Sequence, residues 1–462
     1  MSSLDTYPRR DAVIALAKSI RQQGGRALIV GGANRDALLG CPVKDLDLEV
    51  YGLEAETLHH LLQQQYTIKT VGVSFGVYHI PELQIDVALP RKETAIGLGH
   101  RDFSINCDPY LSIEQAALRR DFTINAIYHD PLSEEWLDPW NGLQDLRQRI
   151  LHPVSPRFME DPLRVLRGMQ FAARFDLQWS DTLIAYSRQI SQDALAIERI
   201  EMEWKKMLVR GIKISRGMEL LRASGWIRFY PELEALIDCP QDPQWHPEGD
   251  VWQHTLHCLD ALPSLRTGDE HEDWVIALAV LCHDMGKPVT TEWIDGHIRS
   301  YQHESRGVPI AESFLQRITR QKSIYEQILP LVACHMLPYS LYKNQASDKA
   351  LRKLALKVGR MDRLMSVVHA DLRGRPPLPA YPSPELEWLE ERLQQLNIQQ
   401  SPPLPILLGR HLIPLGFTPG KPLGYALQQA FEAQLSGEFD SVESGIAWIK
   451  RHVEVSSQSE NP

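Results

Sequence analysis

The chain is poor in cysteine: six in 462 residues, at positions 41, 107, 239, 258, 282 and 334, with no CxxC pair. That scatter excludes a disulfide framework and a zinc ribbon, and leaves each thiol as a small core residue of a reducing compartment. Long apolar runs are missing too. No window approaches the roughly 20 residues that a membrane-crossing helix requires. The opening Met1-Ser-Ser-Leu-Asp-Thr-Tyr-Pro-Arg-Arg10 has no apolar signal region, so a cytoplasmic protein without a membrane partner is expected. Basic excess is absent as well. A net charge of −10 argues against indiscriminate binding to nucleic acid. Local patches differ from the sum: Lys343 to Arg375 holds nine Lys or Arg against three Asp, and Lys205, Lys206, Arg210, Lys213 and Arg216 form a second basic run. A solvated helix face is the plain alternative for both. Internal repeats and low-complexity tracts are also absent, which sets aside repeat arrays.

What the chain does have is length. At 462 residues it exceeds one core, and two to four domains are expected. Apolar content of 43% and charged content of 23% are those of an ordinary globular protein. Residues 1–25 read as a helix with Val13, Ile14, Ala17 and Ile20 at helical spacing, closed by Gly24-Gly25. Strand-like segments follow at Ala27–Val30, Leu46–Tyr51, Val77–Ile80, Gln84–Leu89 and Thr123–Tyr128. Arg91 to Arg119 shows little periodicity and reads as a mobile loop. Beyond Arg157 the pattern is helical almost throughout. Arg375-Pro376-Pro377 to Ser383-Pro384 reads as a linker, and Val455–Pro462 as a disordered tail.

The densest chemical signal lies in Gly31-Gly32-Ala-Asn-Arg35-Asp36 and Lys44-Asp45-Leu-Asp47. The glycines end a strand where the backbone must turn or approach a ligand closely. Strand side chains alternate, so Asp45 and Asp47 share a face and are placed to hold divalent metal against a triphosphate. Either feature alone would be a turn or a solvated edge. Asp86, on a candidate neighbouring strand, is a third acidic group or a salt-bridged structural one.

The spacing of these two elements resembles that of the polymerase-β-like nucleotidyltransferases. Arg119-Arg120-Asp121-Phe122-Thr123-Ile124-Asn125-Ala126 resembles the RRDxTxNA element of class II tRNA nucleotidyltransferases and bacterial poly(A) polymerases. Asp138-Pro-Trp-Asn-Gly142-Leu-Gln-Asp145 is similar to their hinge motif, and Glu160-Asp161-Pro162-Leu163-Arg164 to their nucleotide-selecting EDxxR helix. The order holds from about 26 to 235 and more loosely to about 375. Asn34 departs from the apolar residue usual before Arg-Asp and is expected to tune the turn.

The resemblance implies an α+β architecture: a nucleotidyltransferase head with a mixed sheet over 1–148, a helical nucleotide-recognition neck over 149–232, an HD phosphohydrolase domain over 233–380 and a tRNA-binding helical tail over 381–462. It implies template-independent addition of CCA to tRNA from CTP and ATP, with pyrophosphate released. Asp45 and Asp47 would hold Mg²⁺. Gly32, Arg35, Arg120, Asp121, Asn125, Asp161, Arg164 and Arg167 would bind nucleotide, with Glu160 beside them. On one helix face, Asp161 accepting from an exocyclic amine and Arg164 donating to a ring nitrogen would admit C and A and reject G and U. A poly(A) polymerase and an enzyme adding only CC or only A are the rivals. A non-catalytic RNA-binding protein is set aside because both Asp45 and Asp47 are present.

A second constellation comprises His254, His283-Asp284, His303, His335 and Asp371. Histidine beside aspartate at the end of the apolar helix 275–281, with a histidine one helix earlier and an aspartate later, fits an N/O site for a divalent metal. The order is similar to that of the HD phosphohydrolases. His303 and His335 match the extra histidines of HD domains in CCA enzymes, and His257 is an alternative ligand. The resemblance implies Mg, Mn or Ni and hydrolysis of 2′,3′-cyclic phosphates and 2′-nucleotides. Oligomeric state, monomer or dimer, is left open by the sequence.

Overall fold

The computed structural model describes residues 7–70, 76–95, 103–193 and 195–453. They form two compact units dividing between Phe229 and Tyr230.

In the first unit, helix α1 (Arg10–Gln22) buries Val13, Leu16, Ala17 and Ile20 along one stripe. It starts later than the periodicity over 1–25 suggested, and Ile14 is only partly buried. There follow β1 (Arg26–Val30), α2 (Gly32–Leu38), β2 (Leu46–Tyr51), α3 (Ala55–Gln65), β3 (Lys69–Thr70), β4 (Val77–Ile80) and β5 (Ile85–Ala88). Next come β6 (Arg91–Ala95), β7 (Phe103–Cys107), α4 (Ile113–Ala117), β8 (Tyr128–His129), β9 (Trp136–Leu137) and α5 (Gly142–Gln148). A seven-stranded mixed sheet runs β3-β4-β5-β2-β1-β8-β9, with β2 and β5 parallel. Register places Asp47 opposite Val30 on one side and opposite Asp86 on the other. The unit continues through β10 (Ile150–Leu151), α6 (Leu163–Phe175), β11 (Gln178–Trp179), α7 (Asp181–Ser187), α8 (Ile197–Arg210) and α9 (Ile214–Ala223).

Three sequence expectations are corrected. Thr123–Asn125 is one turn of 3-10 helix, and only Tyr128–His129 of the expected strand joins the sheet. The apolar–polar alternation of Phe122-Thr-Ile124-Asn-Ala126 mimics a strand. Yet Ala126 N–H donates to the Thr123 carbonyl, and the close approach of Gly142 holds this turn. The segment from Arg91 to Arg119 carries a β6–β7 hairpin and then α4, capped by Ser112 Oγ; residues 96–102 lie outside the described residues. Asp161 lies ahead of α6 with extended backbone (φ −126°, ψ 106°), because Pro162 opens the helix.

The second unit is helical: α10 (Pro231–Glu234), α11 (Val251–Ala261), α12 (Glu270–Cys282), the hairpin β12 (Thr291–Ile294) and β13 (His297–Ser300), then α13 (His303–Ile318) and α14 (Lys322–Cys334). It ends with α15 (Leu337–Lys343), α16 (Asp348–Val358), α17 (Met361–Arg373), α18 (Pro384–Leu396), α19 (Gly409–Leu412), α20 (Lys421–Leu435) and α21 (Val442–His452). Helix α12 is buried on all sides from Trp274 to Cys282, as an apolar core helix must be, and packs against α11, α14 and α17. The stretch 375–383 has no helix or strand, as its prolines predict. The expected disordered tail, 455–462, lies outside the described residues. Among the described residues no helix is long and apolar enough to cross a membrane.

Candidate active sites

The first site is built where β1, β2 and β5 end together. Asp45 precedes β2 and Asp47 lies within it, both solvent-exposed, and Asp86 is Asp47's neighbour across the parallel pair. His79 Nδ1 lies 2.6 Å from Asp86 Oδ1. The Asp47 carboxyl is pushed up to about 6, first by the protein packed around it and then by the charges of Asp86 and Asp45, against the pull of Arg120 and Arg119. Gly31 takes φ +76°, and a Cβ there would sit 3.4 Å from both Asp47 Oδ2 and Arg120 Nη1. The glycine therefore leaves the space above the carboxylate open. A Cβ on Gly32 would come 3.3 Å from Arg35 Nη2.

Arg120 is held from behind. Its guanidinium lies over the Tyr128 ring at 5.3 Å and 3.9 Å from Glu49 Oε2, while Arg119 donates to Glu49 Oε1 at 2.7 Å. Burial would raise the Glu49 carboxyl, but the charges of Arg120 and Arg119, with the Tyr51 hydroxyl, hold it below the usual range. Glu49 escaped the sequence reading. The signal was there: Asp45, Asp47 and Glu49 are two apart on one strand face.

The remaining predicted nucleotide-site residues form a connected network behind these groups. Arg35 is buried between the Phe171 and Phe175 rings, 4.8 and 4.5 Å from their centres, and donates to Asn125 Oδ1 and Asp36 Oδ1. Asn125 donates to Asp121 Oδ1, and Arg167 Nε to Asp121 Oδ2 at 2.7 Å. Buried Asp121 is held low despite its burial by Arg167 and Asn125. Asn34 is fully satisfied, donating to the Ile29 and Ile127 carbonyls and accepting from Tyr7. In the hinge motif, Asp138 accepts from Gly142 and Leu143 N–H, and a Cβ on Gly142 would fall 2.2 Å from the Thr123 carbonyl.

The Asp161–Arg164 pair is arranged differently from the expected helix face. Asp161 Oδ1 accepts from Leu163 N–H at the start of α6, and Oδ2 meets Arg199 at 3.2 Å. Arg164 donates to the Arg157 and Arg119 carbonyls, each at 2.7 Å. Glu160 pairs with Arg157 at 3.2 Å.

The second site converges on Asp284, which follows His283 at the end of α12. His283 Nε2 is 3.2 Å and His254 Nε2 3.6 Å from Asp284 Oδ2, and Asp371 Oδ1 is 3.2 Å from His254 Nε2. On the other side, His303 Nε2 and His335 Nε2 lie 3.3 and 4.0 Å from Asp284 Oδ1. The other ring nitrogen of each histidine is engaged. His283 Nδ1 meets the Val280 carbonyl, His303 Nδ1 that of Ser300, His335 Nδ1 that of Val332, and His254 Nδ1 Glu248 Oε1. That leaves the Nε2 lone pairs facing inward. Burial, with the neighbouring His283 and His303, pushes His335 down to about 3, keeping it neutral as a ligand requires. Asp284 Oδ2 is buried without an aligned hydrogen bond, and Lys287 Nζ stands 2.7 Å away. This buried donor set of imidazole nitrogens and carboxylate oxygens fits divalent metal. Three groups of donors lie close enough together to hold an ion: His254, Cys258, His283 and Asp371; Asp284, His303 and His335; and His246, Glu248 and His254. His257 belongs to none of them.

Glu248 also escaped the sequence reading. Its buried carboxylate takes both His254 Nδ1 and His246 Nδ1 at 2.8 Å, and those contacts overcome burial to bring it down to about 2. Nothing in His246-Pro-Glu248 singled it out beforehand.

Residues 27–152 match the family model of the poly A polymerase head domain. The multifunctional CCA protein of Mannheimia succiniciproducens is 34% identical over 388 residues, covering 80% of this chain and 90% of its own length. That of Hahella chejuensis is 36% identical over 392 residues, with 80% and 88% covered. Among solved structures, the Bacillus stearothermophilus CCA-adding enzyme in complex with CTP superposes with a TM-score of 0.65 at 21% identity, covering 96% of this chain and 98% of its own. The Thermotoga maritima CCA-adding enzyme complexed with tRNA gives 0.60 at 17%, with 97% of each covered. These two likenesses are of fold. The sequence relatives cover 80% of the chain at more than 30% identity, and on that ground the chain belongs to the multifunctional CCA protein family.

Proposed function

We propose that this protein adds CCA to the 3′ ends of tRNA from CTP and ATP, and that its second unit hydrolyses phosphoesters of RNA ends. The observation that carries the first activity is the register of Asp47 beside Asp86, with Asp45 next to it and Arg120 across an open glycine. Asp45 and Asp47 are hard oxygen donors on an accessible edge and fit Mg²⁺. Metal held there would lower the pKa of the RNA 3′-hydroxyl and neutralise the triphosphate. Arg120 steers the phosphates that the Gly31-Gly32 backbone admits. Asp86, held by His79, is the neighbouring carboxylate able to take the hydroxyl proton as oxygen attacks the α-phosphorus and pyrophosphate leaves. Asp121, Asn125, Arg35 and Arg167 hold the ribose and base side of the pocket. Asp161 and Arg164 read the base edge by exchanging their present partners for it, the carboxylate taking an amine and the guanidinium a ring nitrogen.

In the second unit, His254, His283, Asp284 and Asp371 would hold one divalent ion, with His303 and His335 as further donors on the other side of Asp284. That ion would supply an activated water for attack on phosphorus. Glu248 fixes the tautomer of His254. Mg, Mn and Ni all suit this N/O set, and 2′,3′-cyclic phosphates and 2′-nucleotides are the substrates. The four-part division at 148, 232 and 380 belongs to the same reading, supported by the separate apolar cluster of Leu412, Phe417, Ala430, Phe439 and Trp448 in the tail.

The test is extension of a tRNA transcript ending at the discriminator base, with labelled CTP, ATP, GTP and UTP supplied singly and together with Mg²⁺. Growth by C, C and A that then stops is the expected outcome. A long A ladder means a poly(A) polymerase, and addition of only CC or only A means a partial enzyme.

A further inference from the structure

A cavity of about 480 Å³ opens above the second site, with Asp284, His303, His335 and Asp371 among its walls. Two hydrogen-bond donors in the same wall are unspent: Tyr339 O–H and Arg375 Nε are buried atoms with no partner. Both residues line the cavity, and buried donors of this kind ordinarily find acceptors, which points to a ligand rich in oxygen. A third feature borders the cavity: Trp245, 53% exposed, lines it, as does Met336 at 38%. Its backbone is fixed, because Trp245 N–H donates to the Asp242 carbonyl while Asp242 also takes Gln244 N–H and His297 Nδ1. An exposed, positioned indole is a flat surface for a π ring. Metal-type donors, anion-type donors and a stacking surface thus line one space of a size ordinary for small-molecule pockets.

We infer that this cavity is a nucleoside subsite: Trp245 stacks on the base of the nucleotide whose phosphoester reaches Asp284 and Asp371, and Tyr339 and Arg375 hold its oxygens. The centre therefore selects nucleotides over phosphoesters that lack a base. This rests on the phosphohydrolase reading of the second unit and adds the part of the substrate that it recognises.

The full-length protein, loaded with Mn²⁺ or Ni²⁺, is assayed on adenosine 2′,3′-cyclic phosphate, adenosine 2′-monophosphate and, as a base-free ester, glycerol 2-phosphate. Trp245→Ala should raise KM for both adenosine esters about tenfold, leave their kcat near the parent value and leave glycerol 2-phosphate hydrolysis unchanged. Trp245→Phe should restore most of the loss. Equal effects on base-bearing and base-free esters, or none on either, would overturn the subsite. Calorimetric titration with adenosine 2′-monophosphate separates the two readings. A parent that binds it through Trp245 yet hydrolyses nothing sinks the hydrolase reading alone. A parent whose binding is unaffected in Trp245→Ala sinks the subsite.

Discussion

Asp47 and Glu49 are two residues apart on one strand face, and their surroundings give them opposite characters. Burial, and then the charges of Asp86 and Asp45, push Asp47 up to about 6 against the pull of Arg120 and Arg119; Glu49 lies behind two guanidinium groups and is held low. The first is placed to gain from a cation, and the second is already paid in full by Arg119 and Arg120. Asp47→Ala should therefore abolish nucleotide addition while phosphoesterase activity persists, as measured on one preparation with both assays. Loss of both in a folded protein would contradict two separate sites. Glu49→Gln removes the charge that aims Arg120 and should lower kcat/KM for CTP and ATP about tenfold, an effect of the size of one charge-assisted hydrogen bond. Phosphoester hydrolysis by the same variant should be unchanged. At the base-reading pair, Asp161→Ala combined with Arg164→Ala should relax the choice of nucleotide, seen as incorporation of GTP or UTP. Unchanged selectivity would show that other groups read the base.

Among the elements, the junction of α12 with α13 leaves least room. A Cβ on Gly286 would fall 1.9 Å from the His303 carbonyl, so the chain leaving His283-Asp284 passes directly against the helix carrying His303. Packing therefore requires glycine at this position, between the helix that ends at His283 and the one that begins at His303. The start of α12 is tied to α17 by Glu272, which accepts from Arg363 Nε and Nη2, each at 2.7 Å. Arg363 above all, with Arg360, holds the Glu272 carboxyl below its ordinary value against partial burial. A carboxyl whose folded pKa is depressed contributes stability above its unfolded value, and that stability is lost as pH falls through the folded one. Glu272→Gln should accordingly lower the Tm at pH 7, by the equivalent of about 2 kcal/mol. The gap from the parent should close as the pH is taken below about 4.5. A gap that is constant across that range would assign the loss to packing.

For the whole molecule, the chemistry of the two donor sets differs, and so should their metal responses. Chelation should silence both activities. Mg²⁺ alone should restore nucleotide addition at the all-oxygen set of Asp45 and Asp47, whereas the histidine-rich set around Asp284 should respond best to Mn²⁺ or Ni²⁺. Restoration of both by Mg²⁺ in parallel would argue against that division of donors.

Much of this protein is determined locally. The helical stripe of α1, the alternating strand β2 that turns Asp47 and Glu49 to one face, the apolar α12 ending at His283, and the glycine turn at Gly31 all follow from periods of 3.6 and 2 and from backbone freedom, which neighbouring residues fix. Tertiary structure decided what depends on residues far apart in the chain. It set the register that brings Asp86 beside Asp47, the use of Glu49 as a clamp for Arg119 and Arg120, and the 3-10 turn in a segment that alternates like a strand. It drew His254, His303, His335 and Asp371 around one carboxylate, with Glu248 behind them. It also committed Arg164 to two backbone carbonyls although its spacing from Asp161 suggested a shared helix face. Local pattern reports which side chains share a surface; which surfaces meet is settled by burial and hydrogen bonding across the fold, and a sequence period carries no record of those partners.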